Sequence, residues 1–210
     1  MPEFDIPQLI AIAAVLGFAS GIRLYAVLLI AGLMGYADWV ELPGGLAVLE
    51  HPWVLAASGL MFAVEFFADK IPGVDSAWDM IQTFIRIPAG AALAAGVFGG
   101  MDSAAWSTVA AIVGGSLAAT SHFAKAGTRA AANTSPEPFS NIGLSVIEDV
   151  GVAGLMWLLL SYPLLALGVV IVLVGLALWL LPKLFRFIAR VVRTLFGTSP
   201  HRHVQQNTDR

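Results

Sequence analysis

The sequence predicts an all-α integral membrane protein with about six transmembrane helices. Apolar residues make up 58% of the chain and charged residues 12%, with a mean hydropathy of +0.83. The apolar residues form continuous runs close to the ~20 residues that a bilayer crossing requires, instead of alternating as in the strands of a β-barrel. The few ionisable residues inside those runs cost several kcal/mol each in hydrocarbon unless they meet a partner or a cavity, which makes them candidate functional residues.

The runs fall at 8–34, 52–69, 80–99, 104–124, 141–161 and 163–182. The first carries Arg23 near its middle, about 20 Å of helix from either end, with Gly17 and Gly21 before it. The second closes on Glu65 and Asp69. The third is interrupted by Arg86 and Pro88, so a broken or re-entrant helix is expected there, shielded by protein. His122 stands at the inner end of the fourth. The fifth, with Ser140 as its N-cap, brings in Glu148 and Asp149. Residues 1–182 therefore read as a single transmembrane domain. Beyond them, 183–197 reads as a cytoplasmic amphipathic helix suited to anionic headgroups. Arg186, Arg190 and Arg193 share one face of it, opposite Phe185, Ile188, Val192 and Leu195. The last stretch, 198–210, reads as a disordered tail.

The connections at 35–51, 100–103 and 161–163 hold no Lys or Arg, whereas Lys70, Arg86, Lys125 and Arg129 fall in the other two. With Lys183 and the arginines after the last run, this predicts that both termini face the cytoplasm of a bacterial inner membrane. The start, MPEFDIPQLI, has no basic segment or cleavage site, so no removable signal peptide is expected. The absence of cysteine excludes disulfides, thiol catalysis and cysteine metal sites. Dispersed basic residues and a net charge of −3 give no reason to expect nucleic acid as a partner. Phe18-Ala19 with Gly21-x-Arg23 is echoed by Phe123-Ala124 with Gly127-x-Arg129, and each match is followed by paired acids. Two inverted three-helix repeats would produce that echo.

Glu65 and Asp69, four residues apart, share one helix face. Two carboxylates converging in low dielectric bind a cation or share a proton, unless they are simply paired at the helix end. Glu148 and Asp149 are adjacent, about 100° apart around their helix, so both cannot face lipid. Arg23 and Arg129 are their natural partners. Asp75 and Asp79 read as a solvated acidic face, and His122, lacking companions, as a hydrogen-bonded packing residue rather than a metal ligand.

The strings G-I-R-L-Y, A-D-K-I-P-G-V-D-S-A-W-D, and N-T-S-P-E-P-F-S-N followed by E-D resemble a bacterial multi-pass membrane family, domain of unknown function 4126, over roughly 8–182. The resemblance implies a helical inner-membrane protein and assigns no site residues. No H-E-x-x-H, G-x-S-x-G, P-loop or G-x-G-x-x-G motif is present, so an enzyme is not expected, and no cofactor. The reading is a small transporter or channel-like protein handling a cation or proton. Arg23, Glu65, Asp69, Arg129, Glu148 and Asp149 would line its cavity, and its partners would be membrane lipids, a small solute or ion, and another copy in a homo-oligomer. The alternative is a lipid-interacting or structural protein whose buried charges only pair its helices.

Overall fold

The computed structural model describes residues 4–71, 73–101, 104–134 and 138–196, without the side chains of Pro138, Val192, Leu195 and Phe196. The expected disordered tail and the outer half of the apolar tail face lie outside the described residues. The described chain is helical throughout: α1 (Ile6–Tyr36), a 3₁₀ helix (Gly44–Glu50), α2 (Pro52–Ala68), α3 (Val74–Val97), α4 (Ala104–Ala132), α5 (Pro138–Ser161) and α6 (Pro163–Phe196). Five helices, α1 and α3 to α6, are long and apolar enough to cross a membrane. A sixth crossing arises if the 3₁₀ helix and α2, bent by 70° at their junction, count as one.

Helix starts follow local chemistry. Asp5 and Gln8 form a reciprocal capping box at the head of α1. Proline begins α2, α5 and α6, where its missing N–H costs nothing. The expected Ser140 cap is therefore displaced: α5 already starts at Pro138.

The first run does not cross as one rod. Arg23 leaves helical geometry (φ −142°, ψ 73°) inside α1. Phe4, Ile12 and Leu16 line the same apolar cavity as Ala31 and Met34, although a straight helix would hold Ile12 and Ala31 about 28 Å apart. α1 is thus a hairpin of two legs, 6–22 and 24–36, with Arg23 at its tip. The first leg runs beside α4 in the same direction, with Gly17 against Gly114 and Gly21 against Ala118 and Ser121. The second leg returns along α2 in the opposite direction, with Gly32 against Leu55, Leu29 against Gly59 and Arg23 on Asp69. α4 braces the bend: Lys125 Nζ donates to Ile22 O at 3.0 Å and, one turn earlier, Ser121 Oγ donates to Phe18 O at 2.7 Å.

This corrects three expectations. The break lies at Arg23, while α3 continues through Pro88 because proline removes only one intrahelical bond and Gly90 is wedged against Ser20 and Ala118. The chain enters and leaves α1 at the same end of the bundle, so α1 is not one of six straight crossings. The first leg of α1 and α4 run parallel, so the echoed strings Phe18–Arg23 and Phe123–Arg129 do not lie on inverted segments. α4 also reaches Ala132, so Lys125 and Arg129 belong to a helix and are buried rather than lying in a connection. α6 likewise runs unbroken through Pro182, with no helix end at 182/183.

Exposed Tyr36, Trp39, Trp53 and Tyr162 ring the open end of the hairpin, the placement aromatic side chains take at a membrane–water boundary. The opposite end carries Lys183, whose ammonium lies over the Trp179 ring, and Arg186.

Candidate functional site

The site is built where polar stripes of four helices converge on the hairpin tip. On α3, Asp75, Asp79, Gln82 and Arg86 recur at helical spacing and are all buried. On α4, Ser121, Lys125 and Arg129 do the same, with His122 alongside. On α5, Asn141 and Ser145 lie fully inside, and Glu148 and Asp149 are largely inside. α2 contributes Glu65 and its terminal Asp69. These helices are inside-out relative to water-soluble ones, because the apolar faces meet hydrocarbon and the polar stripe turns inward.

At the tip, the Arg23 guanidinium is paired with Asp69 and donates to Ser145 O at 3.1 Å and Ser145 Oγ at 2.8 Å. Its Nε stands 3.0 Å from Asp149 Oδ1 without hydrogen-bond alignment, so that contact is a charge contact only. Arg86 pairs with Glu65 and with Asp79 at 3.0 Å. Lys125 sits between the two acid pairs, 3.0 Å from Asp69, 3.6 Å from Asp79 and 3.8 Å from Glu65. Arg129 grips Glu148 through two bonds of 2.7 and 3.2 Å and donates to Asp69 O at 2.7 Å. The result is a continuous chain of alternating charges. It runs from Asp149, 19% exposed, through Arg23, Asp69 and Lys125 to buried Glu65, Asp79 and Arg86.

Arg86 also donates toward His122 Nδ1 at 3.2 Å. A guanidinium only donates, so Nδ1 accepts, and the ring proton is assigned to Nε2, 2.7 Å from Thr83 Oγ1. Thr83 passes the bond on to Asp79 O at 3.0 Å. At the margin, Lys70 contacts Phe66 O and Ser145 Oγ at 3.1 and 3.3 Å. Burial pushes its ammonium below the usual lysine range, which neighbouring Asp149 only partly offsets.

All six residues expected in the cavity are here: Arg23, Glu65, Asp69, Arg129, Glu148 and Asp149. Glu65 and Asp69 do not converge on a vacant point, since the ammonium of Lys125 lies between them. Asp75 and Asp79 were expected in solvent and are buried instead. Asp75 accepts the Gly73 and Ser76 N–H groups at 2.8 and 2.7 Å and binds Asn133. Lys125, Arg86 and the amides Gln82, Asn133 and Asn141 complete the site. Their shared helical spacing was the available signal. Among the described residues, no group of three or more His, Asp or Glu side chains is arranged to hold a metal ion.

Residues 10–183 match a family model described as Domain of unknown function (DUF4126). The chain belongs to that family. Comparison with curated proteins and with solved structures gave no match. The family match covers the hairpin from Ile10 onward, every charged member of the site and most of α6.

Proposed function

We propose that this DUF4126 protein is a small transporter or channel-like protein of the bacterial inner membrane, handling a monovalent cation or a proton. The observation that carries the reading is the helical hairpin whose charged tip closes a chain of buried ionisable groups. Broken helices of this kind position ion and substrate sites in membrane transporters, because non-helical backbone survives at that depth only when protein or a cavity satisfies it. Six carboxylates, Glu65, Asp69, Asp75, Asp79, Glu148 and Asp149, face the four buried cations Arg23, Arg86, Lys125 and Arg129, with Lys70 at the margin. That surplus of negative charge favours a cation or proton over an anion. Asp149 is the natural binding position, since both of its oxygens are buried and neither has a hydrogen-bond partner.

In this reading α2 to α6 make five crossings, so the two ends do not share the cytoplasmic side, contrary to the expectation from the charge pattern. The positive α6 end lies in the cytoplasm and the start of α1 on the opposite side. Purified protein in sealed proteoliposomes is expected to dissipate an imposed proton, Na⁺ or K⁺ gradient. Asp149→Asn should slow that flux at least about tenfold, a loss of roughly 1.4 kcal/mol or more, with little change in melting temperature. Unaltered flux in both Asp149→Asn and Glu148→Gln, or no flux of any of these ions in the wild type, would overturn the proposal. A lipid-interacting or structural role is the second reading, favoured by the near-complete internal pairing of the buried charges. It predicts no flux, together with a loss of stability whenever one of those pairs is broken.

A further inference from the structure

A groove of about 240 Å³ opens sideways from the site. α5 and α6 are joined by a single-residue turn at Tyr162 and diverge from it, and α4 barely touches α5, so the bundle is open on this side. The groove wall is hydrocarbon, with Leu173, Leu176 and Leu180 from α6 facing Leu144 and Ile147 from α5. Its inner end is not. There Glu148, 13% exposed, and Lys125 reach the groove beside Ile22 of the hairpin. Glu148 is already held by two bonds from Arg129 and has Lys125 at 3.4 Å, yet hydrocarbon chains alone in this groove would still set the exposed edge of this ion cluster against an apolar phase. The fitting occupant is therefore polar at one end and apolar along its length.

We propose that the groove binds a membrane lipid with an amine-bearing head group, its chain lying along Leu173, Leu176 and Leu180 and its ammonium directed to Glu148. The sign of the head group follows from the charge of the site. Glu148 and Lys125 both have partners already, but across the whole site six carboxylates face four buried cations with Lys70 at the margin, so a further cation is better accommodated than a further anion. The inference stands apart from ion transport, because the groove opens toward lipid and its test reads binding rather than flux.

The test is native mass spectrometry of the full-length protein released from nanodiscs holding equal phosphatidylethanolamine and phosphatidylglycerol. One retained phosphatidylethanolamine per chain is expected. Ala177→Phe, which fills a buried position of the groove, should cut retention about tenfold, as should Leu176→Trp, made at an exposed position that tolerates bulk. Glu148→Gln should keep a lipid in place but lose the head-group preference. Equal retention of both lipids by the wild type, a preference for phosphatidylglycerol, or unchanged retention in both groove variants would overturn the assignment. A wild type that retains no lipid while still carrying ion flux would overturn this inference and leave the ion reading standing.

Discussion

Asp69→Asn is expected to destabilise the protein by about 3–5 kcal/mol, the range seen when one partner of a buried ion pair is removed. Asp69 is fully buried and serves three cations: Arg23, Lys125 at 3.0 Å and Arg129 at 3.2 Å. Asparagine keeps the shape and can still accept a hydrogen bond, but it leaves those cations short of one negative charge in low dielectric. A reversible unfolding titration in mixed micelles would read the loss. Because three cations depend on one carboxylate, the double variant Asp69→Leu with Arg23→Met should recover less than half of it, as Lys125 and Arg129 remain. A loss below about 1 kcal/mol would mean that the site is hydrated and the charges are independently solvated, as for exposed pairs.

Gly21→Leu is expected to cost about 3 kcal/mol or more, at the upper end of overpacking effects. A Cβ at Gly21 would overlap the Ala118 carbonyl and Ser121 Oγ, and the first of these is backbone that cannot swing away. The first leg of α1 would be pushed off α4, and the bonds that brace it, Lys125 to Ile22 O and Ser121 to Phe18 O, would be lost. The matched control is Gly151→Leu. Gly151 faces outward on α5 with nothing near its Cβ position, so the same change there should fall within about 0.5 kcal/mol. Equal losses at the two positions would contradict the close approach of α1 to α4.

The helical class, the apolar runs and the six named charges were legible in the sequence because hydrocarbon makes every unpaired charge costly. The α3 and α4 stripes were missed, although the helical spacing of Asp75-Asp79-Gln82-Arg86 and Ser121-Lys125-Arg129 carried the signal. Reading Asp75 and Asp79 as a solvated face applied water-soluble logic to an inside-out helix. The hairpin was not legible. Residues 8–34 are apolar enough for one crossing, and hydropathy carries no information about direction. The bend is set by partners far along the chain, Asp69, Ser145 and Asp149, which Arg23 meets only after folding. What hydropathy took for an ordinary span is the most enclosed helix, 72% buried over its most apolar window against 17–33% for α3 to α6. Pro88 and Arg86 drew attention to α3 instead, yet tight packing at Gly90 holds that helix through its proline.

The re-entrant hairpin is the central claim, and the absence of cysteine makes it directly measurable. Single substitutions Phe4→Cys, ahead of the first leg, and Arg190→Cys, near the end of α6, would each be exposed to a membrane-impermeant maleimide in sealed vesicles of known orientation. A hairpin followed by five crossings predicts labelling from opposite faces of the membrane. Labelling of both positions from the same face would mean that α1 crosses, and the hairpin would be wrong.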